Sequence, residues 1–286
     1  MADPCIITPG TLRAWPLPAG DARDKRGRGT VLVIGGSRNT PGAVLLAGIA
    51  ALRAGAGRLQ LAVAQTAATA LSIAVPEAKV VGLPETPAGG AAALPQALLE
   101  LVAAADTIAV GPGLDDVEET GKILDTVLHE AAPGTTVVLD AYALGALSLR
   151  PQLLEDGRRG VVLTPNRVEA EHLLGRELGA DLGAEAAALA ARHGAAVCLH
   201  GHVADPDGTV WREESGDAGL GTSGSGDVLA GLVAGLLARG ARPAQAGCWA
   251  TYAHAVTGQR LAPRFGRTGF LARELLDEVA YTIATV

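Results

Sequence analysis

Within GTSGSGDVLAGLVAGLLARG, Gly221 to Gly240, three glycines and two serines crowd around a single acid, Asp227, directly ahead of an apolar run. Val228, Leu229, Leu232, Val233, Leu236 and Leu237 recur at helical spacing, which predicts a buried helix over 225–239. Gly231, Ala234 and Gly235 occupy another side, where small residues let a neighbour approach, and Gly240 is placed to cap the C-terminus. The glycines therefore sit at the mouth of a helix, where bare backbone N–H groups form a phosphate-accepting nest. A carboxylate beside such a nest repels the anion unless it takes a proton from a hydroxyl that attacks it. Gly224, Ser225 and Gly226 are the candidate nucleotide-binding residues and Asp227 the candidate general base of a phosphoryl transfer. For Asp227 alone, the plainer reading is a first-turn acid favoured by the helix dipole.

The elements that must hold this acid are legible from short β-branched runs alternating with alanine- and leucine-rich stretches. Strand-like segments fall at 30–35, 58–63, 106–111, 135–141, 160–164 and 195–201, with helical segments at 42–55, 117–132 and 167–175 between them. The strands are continuously apolar, as in a parallel sheet covered on both faces. After Gly219 only helices are expected: 225–239, roughly 243–258 and roughly 269–284. The stretch at 84–94 reads as a surface connection. The alternation predicts one α/β layered domain over 1–286, with residues 1–28 as a lead-in.

Ligands of open parallel sheets bind beyond the carboxyl ends of the strands. The loops there are GGSRNTPGA (35–43), GPGLD (111–115), the turn after Asp140, and TPNRVEAE (164–171). Each has a local alternative: turn chemistry for the glycines, a helix cap for Asp140, and a helix start at Thr164 and Pro165 with Glu169 in its first turn. Neither the GGS nor the GPG loop matches the dinucleotide fingerprint GxGxxG or the P-loop pattern. His200 and His202 are expected as a pair on one side of a strand end, whereas His254 reads as a satisfied interior histidine. His129, His172 and His193 read as solvated or capping.

Composition narrows the class. A net charge of −7 argues against non-specific nucleic-acid binding, and 49% hydrophobic residues with only 3% aromatic imply an aliphatic core. Cys5, Cys198 and Cys248 lack ligand or disulfide spacing, so no metal-binding set is expected. The N-terminal residues lack the pattern of a signal peptide, and no apolar run approaches a membrane span, so a cytoplasmic protein is expected.

Taken in order, DKRGRGTVLVIGGSRNTPGAVLLAGIAALRAGAG (24–57), GPGL (111–114), LDAYAL (139–144), LTPNRVEAEHLLG (163–175) and GLGTSGSGDVLAGLVAGLLARG (219–240) resemble the ADP-dependent NAD(P)H-hydrate dehydratases. These YjeF C-terminal-type proteins belong to the ribokinase-like superfamily. The resemblance implies a three-layer α/β/α sandwich with a mostly parallel central sheet. It also implies a hydro-lyase that dehydrates (S)-NAD(P)H hydrate, with ADP (or ATP) as co-substrate, Mg²⁺ on the nucleotide, and AMP and phosphate released. By the same likeness Ala43, Gly113, Asn166 and Asp227 would line the hydrated-nucleotide pocket. His200, Gly201, His202, Val203 and Ala204, with Gly226, would meet the adenine nucleotide, and a homo-oligomer, a tetramer, is implied.

The chain departs from that pattern at several points. Asn166 stands where the family places a histidine, His200 where it has a lysine, and Tyr142 and Gln259 where it has acids. These changes leave two further readings open. One is an ATP-dependent kinase of a sugar or vitamin-like alcohol on the same scaffold. The other is a nucleotide-binding protein with weak or no catalysis.

Overall fold

The computed structural model describes residues 3–18, 24–154, 160–216 and 218–286. In chain order the elements are β1 (Cys5–Ile6), α1 (Pro9–Ala14), β2 (Thr30–Ile34), α2 (Pro41–Arg53), β3 (Arg58–Ala64), α3 (Gln65–Ala74) and β4 (Ala78–Leu83). There follow α4 (Gln96–Ala104), β5 (Thr107–Val110), α5 (Val117–Glu130), β6 (Thr136–Leu139), α6 (Tyr142–Leu149), β7 (Val161–Leu163), α7 (Arg167–Leu174) and α8 (Leu182–His193). The chain ends with β8 (Ala196–Leu199), β9 (His202–Ala204), β10 (Val210–Arg212), α9 (Ser225–Ala238), α10 (Pro243–Phe265) and α11 (Ala272–Ala284).

One ten-stranded sheet runs β1-β10-β9-β8-β7-β6-β5-β2-β3-β4. The strands from β4 to β8 are parallel; only the β8–β9 and β9–β10 pairs are antiparallel. Side chains alternate across the sheet, and each face meets its own helix layer. Val33, Ala109, Val138 and Val162 face α2, α9, α10 and α11, while Leu32, Ile108, Val137 and Leu139 face α4 through α8. Such an α/β/α sandwich explains why the central strands carry no polar alternation: both faces are dry.

Helix α9 is buried nearly all round, with Leu229 among the partly exposed exceptions. Its small residues have a definite use. A Cβ at Gly231 would lie 2.1 Å from the carbonyl oxygen of Ala47, and one at Gly235 would lie 2.3 Å from that of Ala51. The backbones of α2 and α9 therefore touch. Gly240, at φ +93°, ends the helix: its amide bonds Leu237 O at 2.8 Å and that of Ala241 bonds Leu236 O at 3.2 Å, the Schellman arrangement.

Several elements differ from the sequence reading. The lead-in contains β1, which pairs with β10 and gives the sheet its far edge; residues 1–2 and 19–23 of that lead-in lie outside the described residues. The β9–β10 hairpin was not anticipated, because three-residue strands are too short to show a period. Helix α10 runs on to Phe265 through Pro263, in its last turn. Connection 84–94 is pinned: Glu85 accepts from Arg38 Nη2 at 2.6 Å and from Thr66 N and Oγ1 at 2.7 and 2.6 Å. Among the described residues no helix is long and apolar enough to cross a membrane.

Candidate functional site

The site lies beyond the carboxyl ends of β2, β5, β6 and β7, where α9 begins. Gly224, at φ +86°, is the N-cap of α9 and offers no side chain to its amides. The left-handed φ of +86° favours glycine here, and a Cβ would also come within 2.5 Å of Leu46 Cδ1. The Ser225 amide bonds Thr222 O at 3.2 Å and that of Val228 bonds Gly224 O at 3.2 Å. Among the described residues the amides of Gly226 and Asp227 have no acceptor, and Gly226 is exposed with open space where a Cβ would stand. Two free donors at a helix start make an anion site.

Ser225 is held from behind. Its buried hydroxyl lies 2.9 Å from His254 Nε2, and its carbonyl oxygen lies 3.1 Å from the same nitrogen. With its amide also bonded, Ser225 spends its polar groups inside the protein and serves the turn instead of facing the cleft. Burial drives His254 down to about 4, so it is a neutral imidazole at physiological pH. The expected satisfied interior histidine is thus the back wall of the anion site.

Asp140, Asp227 and Glu169 lie near enough to one another beneath this turn for their charges to interact. The pairing of Leu139 with Leu163 sets Asp140 and Thr164 side by side as the next residues of β6 and β7. Alternation turns both toward α9, continuing the column of Val138 and Val162. Thr164 Oγ1 donates to Asp140 Oδ1 at 2.7 Å. Burial raises Asp140 to about 7 against that bond, and the negative charges of Asp227 and Glu169 add to the rise. Asp227 is raised to about 6, by burial first and then by Glu169. Glu169 is raised by burial too, although its carboxylate accepts from Asn166 N at 2.8 Å. Among the described residues no salt bridge reaches any of the three. Asp140 is buried and Asp227 and Glu169 are half-buried, and acids perturbed in this way are where function is sought.

Ala43 and Gly113 come together: a Cβ at Gly113 would lie 2.9 Å from that of Ala43 and 2.4 Å from Thr40 O. Ser37 N and Thr40 Oγ1 both donate to Gly113 O, at 2.7 and 2.6 Å, locking the first loop to the second. Asn166 is the N-cap of α7, its side chain accepting from Glu169 N at 3.0 Å. The helix starts at Arg167, as in the expected 167–175 segment and two residues beyond the Thr164–Pro165 start of the local alternative, and Thr164 serves Asp140 instead.

The histidine pair does not form as a strand end. His200, exposed and at φ +46°, sits with Gly201 in the β8–β9 turn, and His202 begins β9. His202 Cδ2 lies 3.3 Å from the Cβ position of Gly183 in α8. Val203 and Ala204 are buried, with backbones paired to β8 and β10, which leaves the His200–Gly201 turn as the accessible part of this segment. His193 is buried and held down to about 4, where a solvated or capping residue was expected.

Sequence reasoning noted Asp140 at a strand end but gave it no site role, and missed the link from His254 to Ser225. The first had a signal, a lone acid ending an all-apolar strand; the second pairs residues 29 apart in sequence.

The fold and the glycine-framed acid at the start of α9 define a ribokinase-like protein. A ribokinase-like superfamily protein from Enterococcus faecalis superposes with a TM-score of 0.81 at 25% identity, covering 98% of this chain and 95% of that one. Within that class the chain belongs to the NAD(P)H-hydrate dehydratase family, which it matches over residues 31–280. An ADP-dependent (S)-NAD(P)H-hydrate dehydratase from Xanthomonas campestris is 44% identical over 279 residues, 96% of this chain and 94% of its relative. The Bacillus subtilis ADP/ATP-dependent NAD(P)H-hydrate dehydratase, co-crystallised with ATP/Mg²⁺, has a TM-score of 0.80 at 28% identity, covering 100% of this chain and 99% of that one.

Proposed function

We propose that the chain dehydrates (S)-NAD(P)H hydrate with ADP, releasing NAD(P)H, AMP and phosphate, and that Asp227 is the base of its phosphoryl-transfer step. The observation that carries this reading is the first turn of α9: two unbonded amides beside an acid raised to about 6. An acid titrating near neutrality is matched to taking a proton from an alcohol. In this reading Asp227 accepts the hydroxyl proton of the hydrated ring as its oxygen attacks the terminal phosphorus of ADP. The Gly226 and Asp227 amides hold charge developing on the transferred group. The phosphate ester then departs, driven by the ring nitrogen.

Ala43, Gly113 and Asn166 would bound the hydrated-nucleotide side, and the His200–Gly201 turn with Gly224 and Gly226 the adenine-nucleotide side. Among the described residues no three His, Cys, Asp or Glu side chains group to hold a metal. Magnesium would therefore arrive on the nucleotide phosphates and offset their charge beside the acids. We read the protein as one ribokinase-like domain, since a single sheet runs from β1 to β4, and as cytoplasmic. A homo-oligomer, a tetramer, fits the exposed Ile73, Leu149, Val168 and Tyr281; light scattering that returns a monomer removes that part.

The test is to supply hydrated NADPH with ADP, then with ATP, and follow the absorbance of reduced nicotinamide. Its recovery is expected. Nucleotide bound without recovery, or phosphate moved to another alcohol, would overturn the reading.

A further inference from the structure

The dehydration read above requires two protons to leave the substrate. The first comes from the hydroxyl when it attacks the nucleotide. Once phosphate departs with the C–O electron pair, the ring nitrogen's lone pair forms a C=N bond and the ring becomes an iminium cation. To restore the ring double bond, a C–H proton on the adjacent carbon must go to a base. Its electron pair then forms C=C, and the iminium electrons return to nitrogen. Asp227 already carries the first proton at that moment, so a second acceptor is needed.

We propose that Asp140 is that second base: it faces the cationic ring after phosphate has left and removes the carbon-bound proton. The reasoning rests on the dehydratase reading and on three features of the chain. First, register and alternation put Asp140 on the α9 side of the sheet, at the end of the Val138 column. It therefore lies under the helix whose first turn carries Asp227, close enough for the two charges to influence each other. Second, Thr164 Oγ1 donates to Asp140 Oδ1 at 2.7 Å, which orients the carboxyl group at the end of β6.

Third, Asp140 is 6% exposed and among the described residues has no salt bridge, unlike Glu185, which is 7% exposed and bonded by Arg176 at 2.9 and 2.6 Å. A buried acid with no counter-charge is costly, and a transient cation above it supplies the missing partner. The order of events is also favourable. Protonating Asp227 removes a negative charge near Asp140, so Asp140 gives up its own proton more readily just before it must accept one.

The test compares AMP released with NADPH restored, starting from hydrated NADPH and ADP. Wild type is expected to form one of each. In Asp140→Asn the phosphate still leaves, but the iminium ion waits and is recaptured by water, regenerating hydrate. ADP is then consumed in vain, and the AMP-to-NADPH ratio rises several-fold while AMP release continues. Asparagine keeps the shape and removes an acid that is costly to ionise, so the variant is expected to fold. Thr164→Val, which frees the Asp140 carboxyl group, is expected to raise the ratio by a smaller factor and serves if Asp140→Asn does not fold. A ratio of one in these variants overturns the proposal, whether the rates are unchanged (the base is elsewhere, such as the departing phosphate) or fall in parallel (a structural role). Wild type that restores no NADPH defeats the dehydratase reading instead, and is recognised before any variant is made.

Discussion

At its C-terminal end α9 leaves few groups unanswered. Gly240 turns the chain, the carbonyls of Leu236 and Leu237 accept from the Ala241 and Gly240 amides, and Arg239 donates to the carbonyl of Ala54 at 3.0 Å. At the N-terminal end of the same helix the cap is a glycine without a side chain, two amides are unbonded, and the acid of the first turn is raised to about 6. One end is finished for stability; the other is held open at a cost. The contrast separates the part of a helix that builds a fold from the part that awaits a ligand, and substitution can break or sharpen it.

The largest effect is expected at the open end. Asp227→Asn should lower kcat by about 10³-fold while ADP affinity, read by calorimetry, stays within a few-fold. It should also stabilise the protein at pH 8. The folded-state value near 6 lies above the ordinary Asp value, so the folded protein holds this proton longer, and stability falls as pH rises from about 4 to 6. The gain should be on the order of 2 kcal/mol at pH 8 and absent at pH 4. A destabilised variant would contradict the open-end reading.

In the helix body the sign reverses. Gly231→Ala pushes a methyl to 2.1 Å from Ala47 O and should cost about 3 kcal/mol, seen as a lower denaturation midpoint. An unchanged midpoint would mean the two backbones are not in contact.

His254 tests what props the open end. His254→Leu should lower kcat about 10²-fold, the scale for losing one anion-hole donor, with a smaller effect on the midpoint. His254→Gln, whose amide can still reach Ser225, should recover most of it. Because His254 is depressed to about 4, the folded state refuses a proton the unfolded chain accepts. The stability it lends is complete above about pH 6.5 and drains as pH falls through 4, a loss that His254→Gln should lessen. Smallest of all, Glu185→Gln removes an acid satisfied by Arg176 and the Gly179 amide, and should cost about 1 kcal/mol with kcat unchanged.

The long apolar strands and the α9 signature announced themselves because periodicity and glycine spacing are local properties. The three-residue strands of the β9–β10 hairpin did not, since so short a run has no period to read. At the site Gly224, Gly226 and Asp227 stand out as neighbours in sequence, and Ala43 and Gly113 entered through likeness to a family. Asp140 meets Thr164 only through strand register, and Ser225 meets His254 only through the packing of α9 on α10. Burial then decides the charge of each, and burial is a property of the finished fold. The split of His200 from His202 is of the same kind, because a tight turn replaced the straight strand end assumed for them.

Backbone contact at Gly231 and Gly235 has one more effect. Helices α2 and α9 cannot slide or rock past each other without a carbonyl striking a Cα, so they behave as a single welded strut. Ala43 and Asp227 stand at the same end of it, and the spacing between them is fixed before any molecule arrives.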